Sequence, residues 1–268
     1  MDPAAPLVRY DDRGLLRGDG CFETVLIRDG TAIALPAHLA RLARSAARLD
    51  LPAPDLAAWR ELVGQLLEGW PHPGEAILRL VLTRGPEQGP PTAFGMIGPQ
   101  APDKVAQRRR GVHVLTLDRG LPSGAAAQPW LLVGAKTLSY AVNMAALRYA
   151  EARHADDVIF VSSDGHVLES PTGTVVWAVG ETLHTIPVAE PILAGVTVEE
   201  LFDAAPAFGL GIAISPARVA DLHAADGLWL LSSVRRAVPV RTLDGEPCPV
   251  SPLTTRILAA LGVPTPLD

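Results

Sequence analysis

The spacing of apolar positions changes from two residues to three or four within the first third of the chain. Residues 21–35 form two runs rich in β-forming residues on either side of Asp29-Gly30, a dipeptide that favours a tight hairpin turn. After Pro36, which suits the first turn of a helix, the apolar residues of 37–49 fall on one helical face. The pattern therefore predicts a hairpin followed by an amphipathic helix.

Further elements are predicted to the end of the chain. A second helix runs from Asp55, an N-cap candidate, to about Glu68, and a third covers 139–152. The predicted buried face of the third carries Leu138, Val142, Ala145 and Tyr149. Strands are predicted at 76–83, 94–97, 111–117, 158–161, 166–169, 174–179, 182–185, 211–214, 228–231 and 238–241, and two more helices at 197–207 and 252–261.

The order of these elements indicates the fold class and the domain division. Hairpins are more frequent than strict strand–helix–strand alternation, which is typical of an α+β fold. Residues 98–107 contain two prolines and no apolar period, as expected of a connection between domains. We predict an N-terminal α+β domain over 1–98, an interdomain linker over 99–107 and a C-terminal domain over 108–268.

Composition narrows the classes of protein to consider. Of 268 residues, 48% are hydrophobic and 19% charged, with a net charge of −6 and no long block of like charge. A nucleic-acid surface and a polybasic membrane segment are therefore not expected. The two cysteines are too few for a disulfide framework, and neither a signal-like start nor an apolar run of about 18 residues is present. A cytoplasmic location is expected.

Common catalytic motifs do not match, which leaves one lysine to explain. The seven histidines show no pair three or four residues apart, so no metal site is expected. A Gly-x-Ser-x-Gly elbow and a complete dinucleotide loop are also missing. Lys136, however, ends an apolar run directly before a predicted helix, and a desolvated lysine suits Schiff-base chemistry. Taken alone, this pattern favours a lysine that merely extends its ammonium to the surface.

Four separated segments, read together, change that interpretation. They are Asp12-Arg13-Gly14-Leu15-Leu16-Arg17-Gly18-Asp19-Gly20-Cys21-Phe22-Glu23-Thr24, His38-Leu39-Ala40-Arg41-Leu42, Lys136-Thr137-Leu138-Ser139-Tyr140 and Asp164-Gly165-His166-Val167-Leu168-Glu169-Ser170-Pro171-Thr172-Gly173-Thr174. In order and spacing they resemble the signatures of the fold-type IV pyridoxal-phosphate enzymes, the class IV aminotransferase family. Within that family they are most similar to 4-amino-4-deoxychorismate lyases and their close aminotransferase relatives.

The resemblance implies a cofactor, pyridoxal 5′-phosphate, and a set of residues around its ring. Lys136 is expected to carry the cofactor as a Schiff base and then to move the substrate proton. Glu169 is expected to pair with the pyridine nitrogen, which makes the ring an electron sink. Thr174 is expected to contact the cofactor, and Thr172 the substrate.

A second implied set of residues holds the phosphate. A guanidinium fork suits phosphate oxygens, and Arg41 fills that place in the family pattern. Val196 and Thr197 open a predicted helix, whose N-terminal amides suit an anion. Ser233 is the expected second hydroxyl donor.

The resemblance leaves the reaction open between two chemistries. The first is lyase cleavage of 4-amino-4-deoxychorismate to 4-aminobenzoate and pyruvate, as in folate biosynthesis, with Arg79, Arg84 and Arg235 as candidate anchors for the substrate carboxylates. The second is amino transfer on a small amino acid, of the branched-chain or D-amino acid type. A non-catalytic relative acting as a scaffold is a third reading, and the intact Lys136 and Glu169 argue against it. A homodimer is also implied.

The chain departs from the family pattern at three points that bear on this choice. Gly173-Thr174 stands where many members have Ser-Asn, and Arg235-Arg236 stands where many aminotransferases have a glutamate. Ala141 lies at the position where branched-chain aminotransferases carry a tyrosine that contacts the ring oxygen. These differences argue against an ordinary branched-chain enzyme, and they leave the ring-oxygen contact unassigned.

Overall fold

The structure is a computed structural model that describes residues 7–70 and 72–264, and the chain divides into two compact units. The first unit extends to Pro99 and also includes Ala135–Tyr140. The second unit consists of Gln100–Gly134 and the chain from Ala141 onwards. Helices and strands are mixed in both units, so the predicted α+β class is confirmed.

The first unit is a four-stranded antiparallel sheet with helices. The strands have the order β2-β1-β3-β4. The elements are α1 (Arg13–Arg17), β1 (Gly20–Arg28), β2 (Thr31–Ala32), α2 (Leu35–Arg48), α3 (Leu56–Glu68), β3 (Glu75–Thr83) and β4 (Thr92–Pro99). The predicted hairpin and both predicted helices are confirmed, and the Asp55 side chain caps α3 by accepting from the N–H groups of Ala57 and Ala58.

Side chains of β1 and β3 alternate between the two faces of this sheet. Glu23 pairs with Leu80 and Val25 with Leu78, and all four are fully buried on one face. The apolar stripe of α2 is also fully buried and contributes Leu39, Leu42 and Ala46. The three- to four-residue spacing in the sequence therefore marks the helix face that packs into the core.

The second unit is built on a mixed sheet of eight strands. The strands have the order β6-β5-β11-β10-β7-β8-β9, with β12 beside β11. The pairs β5–β6, β5–β11 and β8–β9 are parallel and the others antiparallel. The elements are α4 (Pro102–Arg110), β5 (Val112–Asp118), short 3₁₀ turns at Ser123–Ala127 and Pro129–Leu131, α5 (Ala141–Glu151), β6 (Asp157–Val161), β7 (Thr174–Val179), β8 (Thr182–Thr185), α6 (Val196–Ala204), a 3₁₀ turn at Ala205–Phe208, β9 (Gly211–Ile214), α7 (Val219–His223), β10 (Gly227–Ser232), β11 (Arg236–Leu243), β12 (Glu246–Pro247) and α8 (Leu253–Ala260).

The central strands of this sheet are buried on both faces. Alternate residues of β7 and β10 belong to two separate cores, with Trp177 and Leu230 in one and Ala178 and Trp229 in the other. This is why 174–179 and 228–231 are nearly continuous apolar runs in the sequence and do not alternate with polar residues.

Two predicted features differ from the structure around residue 100 and in α5. The region predicted as a linker, 99–107, contains most of the helix α4. Pro102 can be its first residue because the N–H groups of the first turn have no partner within a helix, so the N–H that proline lacks is not missed. The predicted buried face of α5 is wrong: Val142 and Tyr149 are 52% and 45% exposed, whereas Ala146 and Ala150 are buried. Small residues pack this helix onto its own unit.

The segment that carries Lys136 also groups differently from the prediction, which put it in the C-terminal domain. Ala135–Tyr140 belongs to the first unit, because its backbone hydrogen bonds go to β1. In the parts of the chain that the structure describes, no helix is both long and apolar enough to cross a membrane.

The alternation of buried and exposed side chains along β3 can be tested by mutation. Leu80 is fully buried, whereas Val81 projects from the other face and is partly exposed. We expect Leu80→Ala to lower the free energy of unfolding by about 3 kcal/mol, because it leaves a cavity in the core. Val81→Ala is the matched control and should cost about 1 kcal/mol or less. Urea denaturation measures both, and equal losses would contradict the assignment of the two faces.

Candidate active site

The segment that carries Lys136 is fixed to the start of β1 and to α2. The N–H of Phe22 donates to the Lys136 carbonyl at 3.0 Å, and the N–H of Leu138 donates to the Gly20 carbonyl at 2.8 Å. The Lys136 N–H donates to Ser45 Oγ, on α2, at 3.1 Å. The lysine backbone is therefore held from two sides before its side chain begins.

Gly20 allows this close approach because it lacks a side chain. A Cβ at this position would lie 2.6 Å from the carbonyl oxygen of Leu82 and 2.8 Å from Cδ1 of Leu138. Both distances are shorter than real Cβ contacts, and the first is to backbone, which cannot rotate away. The glycine of the N-terminal signature thus serves the packing of the lysine segment.

The side chain of Lys136 lies over two aromatic rings. Its Nζ is 4.5 Å from the ring centroid of Phe22 and 5.6 Å from that of Tyr140. The two rings meet edge to face, with centroids 5.4 Å apart and planes at 83°. A cation over a ring face is attracted by the ring quadrupole, so the pair defines where the amine lies when it carries charge.

Arg79 lies on the face of the sheet that bears Phe22. Phe22 pairs with Val81 across the two strands, and Thr24 pairs with Arg79. Directly paired residues of antiparallel strands project to the same side, so these four side chains share one face. Arg79 is exposed there. Of the three arginines predicted to bind substrate, it is the one on the same sheet face as the ring beneath the Lys136 ammonium.

Arg84 has a different environment from the one predicted. Its Nε donates to Asp19 Oδ2 at 2.7 Å, Nη2 donates to the Leu49 carbonyl at 2.6 Å, and Nη1 donates to the Asp50 carbonyl at 3.2 Å. All three guanidinium nitrogens thus bind the protein itself. Arg84 therefore links the turn before β1 to the residues that follow α2.

On the sheet face opposite to Phe22, Arg41 is part of a buried cluster with Glu23 and His38. Arg41 Nε donates to Glu23 Oε1 at 2.7 Å and Nη2 donates to Glu23 Oε2 at 2.8 Å. His38 Nδ1 lies 2.7 Å from the same Oε2. Exposed fractions are 0% for Glu23, 1% for His38 and 6% for Arg41. The carboxylate is therefore bound by two side chains one helical turn apart.

Two opposing effects set the pKa of Glu23. Burial acts to raise the pKa, because it disfavours the charged carboxylate. The hydrogen bond and charge of Arg41, followed by those of His38, outweigh burial and hold the pKa at about 2. Glu23 is thus ionised at neutral pH in a place that water does not reach.

In the second unit, Glu169 precedes a tight turn. Its backbone carbonyl accepts from the N–H of Phe160 at 2.9 Å, which pairs the acidic segment with β6. Its side-chain Oε2 accepts from the N–H of Leu193 at 3.0 Å. Ser170 and Gly173 then exchange backbone hydrogen bonds of 2.9 and 3.3 Å. The Glu169 carboxylate is thereby oriented by the loop that leads into α6.

The N-terminus of α6 lies directly against Thr174. A Cβ on Gly195 would be 2.4 Å from Thr174 Oγ1, so the absence of a side chain allows the contact. Gly195 is the N-cap and supplies no side-chain cap, and Val196 and Thr197 are the first helical residues. The first amides of a helix have no partner within it and suit an anion. Three of the predicted cofactor contacts are thus brought together.

Arg235 is occupied by groups of its own unit, whereas we predicted a substrate anchor. Its Nη1 donates to Asp157 Oδ2 at 2.7 Å, and Nη2 donates to Thr172 Oγ1 at 3.3 Å. Asp157 is 1% exposed, and its Oδ1 accepts from Ser170 Oγ at 3.0 Å. Asp157 therefore connects the acidic segment to the loop after β10, which contains Ser233.

That loop is also bound by α4 and by Gln100, which precedes this helix. Arg108 Nη2 and Gln100 Nε2 donate to the Val234 carbonyl at 2.7 and 3.1 Å, and Arg108 Nε donates to the Arg235 carbonyl at 3.0 Å. The side chain of Ser233 is partly buried. The helix found in place of the predicted linker thus supports a loop expected to bind the cofactor.

Sequence reasoning missed the partners of the predicted site residues. No role was predicted for Glu23, His38 or Asp157. Glu23 and Asp157 each bind an arginine that was predicted to be in the site, and His38 binds Glu23. The spacing His38-x-x-Arg41 was a usable signal, because it puts both side chains on one helix face. Asp157 had none, since its partner is 78 residues away.

The types of donor described above, each within its own unit, are those that a phosphorylated pyridine aldehyde requires. The first unit offers an amine held on aromatic rings and an oriented guanidinium. The second offers a carboxylate and the amides of a helix N-terminus. Among the residues that the structure describes, no three His, Cys, Asp or Glu side chains are grouped as metal ligands.

Comparison with known proteins identifies relatives along nearly the whole chain. The family model for amino-transferase class IV matches residues 20–243. A bifunctional aminodeoxychorismate lyase / D-amino acid transaminase from Mycobacterium tuberculosis is 47% identical over 264 residues, which cover 94% of this chain and 91% of that protein.

Solved structures of similar proteins have the same fold along nearly the whole chain. A hypothetical aminotransferase from Mycobacterium tuberculosis in its PLP-bound form is 46% identical with a TM-score of 0.96, over 98% of this chain and 94% of that one. A fold IV-transaminase from Curtobacterium pusillum is 44% identical with a TM-score of 0.93, over 97% of this chain and 89% of that one.

The buried Glu23 carboxylate predicts a specific dependence of stability on pH. Its pKa falls from 4.5 to about 2 on folding, so its ionisation stabilises the folded state above pH 4.5 and this contribution is lost as the pH falls towards 2. Glu23→Gln lacks the ionisation and should lose less stability over that range. Urea unfolding at several pH values measures the slopes. Glu61→Gln, at an exposed position of α3, should keep the wild-type slope, and an unchanged slope in Glu23→Gln would contradict the prediction.

Proposed function

The chain belongs to the amino-transferase class IV family and is a pyridoxal-phosphate enzyme, and from that premise we propose that it acts as a 4-amino-4-deoxychorismate lyase. The products would be 4-aminobenzoate and pyruvate. The observation that carries the proposal is the high identity, over almost the full length, to a relative named for this activity. The position of Arg79 on the Phe22 face of the sheet supports an acidic substrate.

We assign residues to the cofactor by their chemistry. When bound, it supplies an electron sink for negative charge at the carbon that bears the substrate amine. We assign Lys136 to its aldehyde carbon and Glu169 to its pyridine nitrogen. Contacts with the phosphate and the remaining edge are assigned to Arg41, Thr174, Val196, Thr197 and Ser233.

Lys136 is the proposed acid–base group. With its amine free and the substrate in place, Lys136 would remove the proton from the amine-bearing ring carbon. The electron pair of that C–H bond completes an aromatic ring as the bond from the neighbouring carbon to the enolpyruvyl oxygen breaks. The enolpyruvyl group then gains a proton and leaves as pyruvate. Phe22 and Tyr140, whose rings lie next to the lysine amine, would attract the ammonium that forms when it takes up this proton.

Arg79 is the proposed anchor for one of the two substrate carboxylates. Arg84 and Arg235 were predicted for the same purpose, but their guanidinium nitrogens bind Asp19 and Asp157 respectively. Arg79 has an exposed side chain on the Phe22 face. The Thr172 hydroxyl accepts a hydrogen bond from Arg235. Its contact with the substrate stays a prediction.

A second candidate function is amino transfer on a D-amino acid. The bifunctional relative is also named as a D-amino acid transaminase, and this favours it over the branched-chain alternative. The same lysine would serve as the acid–base group, and a ketoacid would take up the amine. The homodimer and the cytoplasmic location expected from the sequence stay predictions.

One assay separates the two functions. We expect the purified holoenzyme to release pyruvate and 4-aminobenzoate in equal amounts from 4-amino-4-deoxychorismate without any ketoacid, because the lyase reaction needs no amine acceptor. Lactate dehydrogenase and NADH follow the pyruvate. Lys136→Ala should lower the rate by about 10²- to 10⁴-fold, since it removes the acid–base group. Amine transfer from D-alanine to α-ketoglutarate with no pyruvate release from 4-amino-4-deoxychorismate would overturn the lyase assignment.

A substitution at Arg79 tests the carboxylate anchor. Arg79→Gln should raise KM for 4-amino-4-deoxychorismate by about tenfold to a hundredfold, because a charge-assisted hydrogen bond is lost. Arg79→Lys should recover part of the affinity, since it keeps the charge but not the fork. Steady-state kinetics of both variants are compared with Val81→Ala, a neighbour on the same sheet face. An unchanged KM in Arg79→Gln would remove this arginine from the proposed site.

A further inference from the structure

The Glu23–His38–Arg41 cluster is unusual because it buries three ionisable groups together. Removing a charge from water is costly, and a buried ion pair often stabilises a fold no better than well-packed apolar residues of the same volume. The cluster lies beside the fully buried core residues Val25 and Leu80. Its presence there calls for an explanation other than stability.

The geometry of the cluster indicates what it controls. A guanidinium has a side edge, formed by Nε and one terminal nitrogen, and an outer edge formed by the two terminal nitrogens. Glu23 occupies the side edge of Arg41 through bonds of 2.7 and 2.8 Å. A bidentate carboxylate fixes the plane of the guanidinium as well as its position. The outer edge is thereby directed away from Glu23 in one orientation.

His38 fixes the carboxylate in turn. Its Nδ1 lies 2.7 Å from Glu23 Oε2, the oxygen that also accepts from Arg41 Nη2. The strand β1 holds the glutamate backbone, and both partners are on α2, one turn apart. The three side chains have little freedom to turn independently, because each is at most 6% exposed.

We propose that Glu23 and His38 are positioning residues that orient Arg41, so that its outer edge binds the phosphate of the cofactor. The inference rests on the proposed assignment of Arg41 to the phosphate. Glu23 neutralises much of the guanidinium charge, so its contribution to phosphate binding lies in orientation and not in added positive potential. Loss of Glu23 is expected to weaken phosphate binding even though it leaves the arginine with a net positive charge.

The test compares two ligands that differ only in the phosphate. Apoenzyme is titrated with pyridoxal 5′-phosphate and with pyridoxal, and the visible absorbance of the adduct with Lys136 gives both dissociation constants. In Glu23→Gln we expect affinity for pyridoxal 5′-phosphate to fall by about tenfold or more, as is typical when the partner of a binding group is removed. Affinity for pyridoxal should change by less than about twofold, because pyridoxal does not use Arg41.

Three further variants make the outcome specific. His38→Asn should give a smaller loss with the same preference for the phosphorylated ligand. Glu75→Gln is the matched control: it removes the carboxylate of a less buried pair with Arg28, 2.9 Å apart on the same sheet, and should leave both affinities unchanged. Arg41→Lys tests the underlying assignment and should lose affinity for the phosphorylated ligand alone.

The outcomes distinguish the proposal from its premise. Equal weakening of both ligands in Glu23→Gln would mean that the cluster is structural, and unchanged affinities would mean that it orients nothing; either overturns the proposal. If Glu23→Gln does not fold, the same two comparisons are made on His38→Asn. If Arg41→Lys shows no phosphate-selective loss, the assignment of Arg41 fails, whereas an adduct on Lys136 leaves the proposed chemistry of the lysine intact. Pyruvate release is measured separately and does not enter this comparison.

Discussion

The two-residue alternation along β1 is the constraint on which the first unit depends. Phe22 and Glu23 are neighbours in sequence and therefore project from opposite faces of the sheet. Phe22 supports the ammonium of Lys136 on one face, while Glu23 binds Arg41 on the other. A shift of one residue in the pairing of β1 with β3 would exchange the two faces. The extensive pairing from Gly20 to Arg28 thus protects the site as well as the sheet.

The second unit uses a comparable device. Asp157 lies at the start of β6 and is bound by Ser170 from one segment and Arg235 from another. In both units, then, a buried carboxylate paired with an arginine stands next to the residues assigned to the cofactor. Such pairs stabilise a fold only modestly, but they define geometry sharply because each partner has one acceptable orientation. The same contacts explain why Arg235 cannot be treated as a simple surface cation.

Local features of the fold could be predicted from the sequence, and long-range ones could not. The Asp29-Gly30 hairpin, the Asp55 cap and the strand 174–179 depend on neighbouring residues, and all three are present. The helix α4 was missed because its support comes from distant groups, such as the Arg108 bonds to the loop after β10. Likewise, the grouping of the Lys136 segment with the first unit depends on bonds to residues more than a hundred positions away.

The candidate site shows the same division between residue types and residue partners. The resemblance named Lys136, Arg41 and Glu169, because their types and spacing are visible in the chain. The structure adds what each one touches, and these partners separate the three candidate arginines: two are bound within the protein, and Arg79 lies exposed on the Phe22 face. Because lyase and aminotransferase would share the lysine and the cofactor contacts, the choice between them is expected to depend on residues that contact the substrate, for which Arg79 is proposed. The face that carries Phe22, Thr24 and Arg79 is therefore where reaction specificity is expected to be decided.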